Sequence, residues 1–282
     1  MTHPTAQPIA TARPASTVML LRDAASGLEV FMAQRSRALD FARGALVFPG
    51  GAVDAADADP AWRSLCRGAD DIGDEELARR VAALRETFEE IGVLCAEPRG
   101  EANALDGQQL REWRAECMGR ESANDAFREV VARAELRLRV DALVPWSRWI
   151  TPRDLPKRFD TWFYAIRAPA GQRPIHDGEE LVASTWVTPQ QGLADYAAGR
   201  CEMIIATWMN LERLCPSPDV AHALASAGRH AIVPIEPRIE TRDDAAWLVI
   251  PENCGYERTE VPSQERRPTN PSGAQRDQAR RR

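Results

Sequence analysis

Three glutamates crowd the stretch Arg85-Glu86-Thr87-Phe88-Glu89-Glu90-Ile91-Gly92. Read as a helix, it sets Glu86, Glu89 and Glu90 at i, i+3 and i+4, on one face and about 5–6 Å apart. Like charges this close repel, and a cation relieves the repulsion. Arg85 supplies part of that charge, and a divalent metal would supply more. Mg²⁺ suits an all-oxygen donor set, because it takes near-octahedral oxygen ligands and keeps several waters. The bland alternative is a solvated acidic helix face. A second element weighs against it: the apolar run Ala45-Leu46-Val47 leads into Phe48-Pro49-Gly50-Gly51. A strand ending in Pro-Gly-Gly brings its backbone very close to a ligand and offers the Gly51 carbonyl oxygen.

The acids need a docked helix. Leu77, Val81, Leu84, Phe88 and Ile91 recur at helical spacing and form the apolar stripe. Asp74 is the expected N-cap, with Glu75 and Glu76 at the positive end of the helix dipole, and Gly92 the expected stop. Residues 16–21 and 28–33 read as a β-hairpin, and 93–96 as a buried strand. From 98 to about 139 the periodicity is helical, with Leu110, Trp113 and Cys117 on one stripe and Phe127, Val130, Val131 and Ala134 on another. This insertion reads as extra packing, with a substrate cap or dimer contact as the functional alternative. Residues 143–150, 159–166 and 181–187 read as strands. Helices follow from Thr188-Pro189 through Tyr196, over 203–214 and over 220–227, then short strands at 231–235 and 247–250. Residues 1–15 and 256–282 have the composition of disordered ends.

A net charge of −6 argues against a general nucleic-acid binder. No apolar run approaches the ~20 residues that span a bilayer. The six cysteines are scattered with no CxxC pair, which fits free thiols in a reducing cytoplasm and no zinc site.

The glycine strand and the acidic helix together resemble the Nudix box, GX5EX7REUXEEXGU. Gly51 matches its first glycine, and residues 85–93 match its second half, with Thr87 at an expected aliphatic position. Asp57 stands where the box has glutamate, and 27 residues separate it from Arg85 instead of seven. Such a loop leaves the two halves free to meet, since long loops cost little to close. The resemblance implies an α+β Nudix fold: a mixed β-sheet sandwiched between helices. Here it would carry insertions at about 55–73 and 98–140, and a helical C-terminal extension at about 200–255. It also implies a metal, Mg²⁺ or Mn²⁺, held by Glu86, Glu89, Glu90 and the Gly51 carbonyl. The Glu90 position would be a principal ligand and Glu86 a ligand or the base. Arg85 reads as an orienter paired with Glu89. In many members a glutamate near 177–180 is a further ligand or the general base; Glu180 is the candidate here, against an exposed acidic loop.

A second resemblance covers the loop before the box. Coenzyme A diphosphatases of this superfamily carry RSxxxRxxxGxxxFPGG. Arg35, Ser36, Gly44 and Phe48 to Gly51 fall in place, while Asp40 replaces an arginine and is flanked by Arg37 and Arg43. Guanidinium groups suit phosphate oxygens, so Arg35, Arg43 and Ser36 are the candidate substrate contacts. Trp149 and the run 158–163 also look like the long, peroxisomal type of that branch. The ending Arg280-Arg281-Arg282 is not a peroxisomal address, so that location is not carried over. The implied activity is metal-dependent hydrolysis of a small-molecule diphosphate, coenzyme A or acyl-CoA, by a chain that could act as a homodimer. The rivals are hydrolysis of ADP-ribose or a dinucleotide, and a non-catalytic nucleotide sensor.

Overall fold

The two apolar runs near the N-terminus form the first hairpin. Strands β1 (Arg13–Ala24) and β2 (Gly27–Arg35) are antiparallel, and the chain reverses at Ala24 opposite Gly27, whose φ is +101°. The computed structural model describes residues 9–38, 42–100, 105–120, 123–229, 231–243 and 245–262. Side chains alternate along β1: Val18 and Leu20 enter one core, Met19 and Leu21 the other. Strand β3 (Leu46–Val47) pairs with β2, and β4 (Gly50–Ala52) folds onto β1 with Gly51 opposite Ser16.

The long box insertion is a packed turn, not a loose loop. It holds helix α1 (Trp62–Leu65), whose Trp62 is buried. Helix α2 (Asp74–Ile91) follows. Its N-cap is Gly73, not the expected Asp74. The Asp74 carboxylate is engaged instead by Arg63, Nη2 to Oδ1 at 2.6 Å. Gly92 ends the helix as expected, with φ +69°.

Residues 93–95 are buried but form no strand. Gln172 closes the Leu94 backbone with its side-chain amide, accepting from the N–H at 2.9 Å and donating to the C=O at 3.0 Å. The strand β5 (Ala96–Pro98) begins only afterwards, and the insertion continues as α3 (Gly107–Met118), α4 (Ala123–Arg133) and β6 (Leu136–Leu138). The sheet then resumes with β7 (Val144–Ile150), β8 (Phe159–Arg167) and β9 (Leu181–Val187). The C-terminal part is α5 (Pro189–Ala197), α6 (Ile205–Leu214), α7 (Val220–Ala227), β10 (Pro234–Ile235), β11 (Arg238–Arg242), β12 (Ala245–Val249) and β13 (Glu260–Pro262).

The main sheet runs β10-β7-β8-β1-β2-β3, with β4 also on β1 and β9 on β2. It is mixed: β1 and β8 run parallel from Arg13 opposite Phe159 to Leu21 opposite Arg167, while β1–β2 and β7–β8 are antiparallel. One face carries α2, α3 and α4, with Val81, Leu84, Phe88, Phe127 and Val130 packed with Val18, Leu20 and Tyr164. The other carries α6 and α7, where Met209, Leu211, Val220 and Ala223 meet Met19, Leu21, Trp146 and Phe163. The chain is thus α+β, a mixed sheet between helical layers. The insertion helices contribute Leu110, Cys117, Phe127, Val130 and Val131 to the core beside α2, in line with the packing reading.

The ends differ from expectation where they are described. Residues 13–15 belong to β1, anchored by the Arg13 N–H donating to Arg158 O at 2.9 Å. Residues 256–262 are structured as well, since β13 pairs with β12. Residues 1–8 and 263–282, with Asp40, lie outside the described residues. Among the described residues, no helix is long and apolar enough to cross a membrane.

Candidate active site

Helix α2 docks through its apolar stripe, with Leu84, Phe88 and Ile91 fully buried. Docking by that stripe turns Glu86 and Glu90 toward β4. Gly51 is the contact point. A Cβ added there would stand 2.4 Å from Glu86 Cδ, so only glycine lets the strand and this carboxylate come so close. Gly50 has φ +151°, and a Cβ on it would lie 2.3 Å from the Ser16 carbonyl. That backbone belongs to glycine alone, and it aims the Gly50 N–H at Glu90 Oε2, 2.9 Å away.

Arg85 organises the centre. It is 2 % exposed and its partner Asp57 is 1 % exposed. Nε and Nη2 donate to the two Asp57 oxygens, each at 2.9 Å. Nη1 donates to Glu86 Oε1 at 2.9 Å and Glu89 Oε2 at 3.0 Å, and Nη2 also to Ala52 O at 3.1 Å. These bonds use all five guanidinium donors, so Arg85 has none left for a substrate. The expected ion pair between Arg85 and Glu89 is present. Asp57, whose part the sequence left open, answers Arg85 with both oxygens. Its position six residues after Gly51 was the available signal.

The electrostatics are unbalanced. Asp57, Glu86 and Glu89 share one fully used guanidinium, and Glu90 sits beside them. Two like charges about 5 Å apart repel by roughly 3 kcal/mol at an effective dielectric of about 20. Burial, offset by Arg85 and reinforced by Glu89 and Asp57, pushes the Glu86 carboxyl up to about 7. Burial also raises Glu89, against the pull of Arg85. Burial and the charge of Glu86 push Glu90 well above the usual carboxylate range.

Two loops distant in sequence meet near Glu90. The Arg35 Nη2 lies 3.5 Å from Glu180 Oε2, and the Ser36 N–H donates to the Glu180 carbonyl at 2.7 Å. Both charges act on Glu90, the arginine favouring its ionised form and the glutamate opposing it. The Arg35 Nε is buried without a hydrogen-bond partner among the described residues. The other two expected substrate contacts are not brought in the same way. Ser36 Oγ accepts the Ala38 N–H at 3.3 Å, the local turn bond that a serine makes readily, and Arg43 lies exposed on the loop.

The donor set fits a hard divalent cation. It is all oxygen, it carries excess negative charge, and Glu89 Oε1 is buried with no hydrogen-bond partner among the described residues. Among those residues, no group of three or more His, Cys, Asp or Glu side chains is placed to hold a metal ion. Arg85 draws Glu86 and Glu89 to itself, and Gly50 holds Glu90.

Comparison with known proteins gives the family. The family model for the NUDT19 Nudix domain matches residues 67–214, just over half of the chain. An acyl-coenzyme A diphosphatase NUDT19 of Xenopus laevis is 28% identical over 232 residues, covering 67% of this chain and 60% of that protein. The Homo sapiens protein of the same name is 30% identical over 216 residues, covering 61% and 56%. The chain therefore spans somewhat more than half the length of these relatives. The crystal structure of a NUDIX hydrolase from Alicyclobacillus acidocaldarius superposes with a TM-score of 0.68 at 29% identity, over 77% of this chain and 97% of that one. With the family model matched and the glycine strand and acidic helix in contact, this chain belongs to the NUDT19 branch of the Nudix family.

Proposed function

We propose that the protein hydrolyses the diphosphate linkage of coenzyme A or an acyl-CoA, with Mg²⁺ or Mn²⁺ bound by Glu86, Glu89, Glu90 and the Gly51 carbonyl. The observation that carries this reading is the meeting of Arg35 and Glu180, 145 positions apart, beside a buried Glu90 that already touches the glycine strand. The relatives' names support the substrate class.

When bound, the divalent ion screens the phosphate oxygens and makes an attacking water more acidic. The chain's own residues do the rest. Arg85 and Asp57 hold Glu86 and Glu89 in place. Glu90 is held against the glycine strand by the Gly50 N–H. The Arg35 guanidinium can leave the long contact with Glu180 and pair with a phosphate oxygen. Glu180 then becomes a candidate base, able to accept a proton from water. The six cysteines are all free and fit a reducing, cytoplasmic compartment. The partner expected is a small diphosphate; a homodimer is compatible with it, and a nucleic acid is not part of the reading.

The test is a screen of coenzyme A, acyl-CoA, ADP-ribose and NADH with Mg²⁺ or Mn²⁺, products identified by mass. Coenzyme A should be split into a phosphopantetheine fragment and an adenosine bisphosphate. Glu90→Gln should lower kcat at least 100-fold with an unchanged circular-dichroism spectrum. Preferred turnover of ADP-ribose would move the assignment to the rival substrate class. Nucleotide binding without turnover of any of the four would make the chain a sensor.

A further inference from the structure

A helix leaves its last four carbonyls without intrahelical partners. In α2 all four are accounted for, and most by residues outside the helix. Phe88 O accepts the Gly92 N–H at 2.9 Å and Ile91 O accepts the Ile175 N–H at 2.9 Å. The other two go to one side chain from the inserted helix α3. Arg114 Nε donates to Glu89 O at 2.9 Å and Nη2 to Glu90 O at 2.7 Å. Its remaining nitrogen, Nη1, donates to Ile175 O at 2.8 Å.

Ile175 lies in the loop between β8 and β9, which ends at Glu180. That loop is stiffened by Asp177, whose carboxylate accepts the N–H groups of Glu179, Glu180 and Leu181 at 3.0, 3.3 and 2.9 Å. A single guanidinium thus bridges the peptide units of Glu89 and Glu90 and Ile175 of the Glu180 loop. The planar fork is what allows three carbonyls on two segments to be held at once. A cation at this end of the helix also opposes the negative pole of its dipole.

We propose that Arg114 is a positioning residue for the hydrolysis: it fastens the end of α2 that carries Glu89 and Glu90 to the loop that carries Glu180. This rests on the diphosphatase reading above and gives the helical insertion a task beyond packing.

The full chain is compared with Arg114→Ala, Arg114→Lys and, as a control on the same helix, the exposed Arg111→Ala. Three readouts are taken: kcat and KM, Mn²⁺ binding without substrate by electron paramagnetic resonance, and amide exchange at Ile175 and Glu180. In Arg114→Ala, kcat falls about 10- to 100-fold with KM within a few-fold. Mn²⁺ binding weakens about tenfold, the scale seen when groups behind metal ligands are removed, and both amides exchange faster. Arg114→Lys is intermediate, since one ammonium cannot serve three carbonyls in a fork. A cavity of about 280 Å³ lined by Arg111, Arg114, Ala115, Met118, Asp177 and Glu179 opens beside this side chain. Added guanidinium therefore has a route in and restores part of the activity of Arg114→Ala. Arg111→Ala matches the parent.

Unchanged kcat, Mn²⁺ affinity and exchange in a folded Arg114→Ala overturn the proposal. So does a loss with neither rescue by guanidinium nor an intermediate lysine variant, which marks a purely structural role. If the parent cleaves none of the four diphosphates, the functional reading fails, while exchange and Mn²⁺ binding still decide whether Arg114 holds the two segments together.

Discussion

Glu86 shows how one residue can be costly to the fold and useful to the site. Burial next to other acids makes its carboxyl prefer the proton, with a pKa of about 7 against the usual 4.5. Between those values the folded chain binds more protons than the unfolded one. The associated stability is therefore complete below about pH 4.5 and is lost as the pH rises through 7. Other carboxylates, such as Asp23 beside Arg167, are shifted downward and act with the opposite sign, so the comparison must be with Glu86→Gln. The urea midpoint of the metal-free parent, measured against that variant, should fall between pH 5 and pH 8. Mg²⁺ at pH 8 should restore it in the parent far more than in the variant. A parent-to-variant difference that is equal at both pH values contradicts this account of Glu86. Asp57 is tied to the same centre by its bidentate bond to the buried Arg85, and removing Arg85 would leave the buried Asp57 charge without its partner.

Among the elements, α2 matters through what supports it. The box insertion and the later helical insertion meet under it: Phe127 of α4 packs on Trp62 of α1 and on Phe88 of α2, each at 5.7 Å between ring centres. Arg128 of α4 also pairs with Asp59 of the box insertion. The two inserted segments therefore brace each other and helix α2. Phe127→Ala should cost about 3–5 kcal/mol, the usual range for emptying a fully packed aromatic site. Denaturant titration checks this, and a loss below 1 kcal/mol would mean that the insertions are independent of α2.

The whole molecule is closed by its C-terminal extension. Tyr256 donates to Asn210 Oδ1 at 2.6 Å and accepts from Trp149 Nε1 at 3.2 Å, while Ser147 Oγ donates to the same Asn210 oxygen at 3.0 Å. At the opposite end of the sheet, Asp23 accepts the N–H of Val220 at 2.8 Å, so α7 starts on the first hairpin turn. These ties lie on the sheet face away from α2. Tyr256→Phe should lower stability by about 1–2 kcal/mol, the cost of leaving buried partners unmet, with kcat unchanged. A fall in kcat without a fall in the melting temperature would place the extension in the reaction instead.

Local rules suffice for a large part of this protein. The spacing of Leu77, Val81, Leu84, Phe88 and Ile91 already sets which face of α2 is buried, and so which face the acids occupy, because a helix has one period. Alternation made the strand at 159–166 legible for the same reason. The ties that build the site obey no such period. Asp57 finds Arg85 across a packed insertion, Glu180 finds Arg35 across 145 residues, and Arg114 reaches three carbonyls on two other segments. Each depends on where the mixed sheet sets its loop ends, and hydrogen bonds to backbone carbonyls leave no trace in residue type. The helix with its acids was written in the chain; which charges face them, and what holds them still, was decided only when the layers packed.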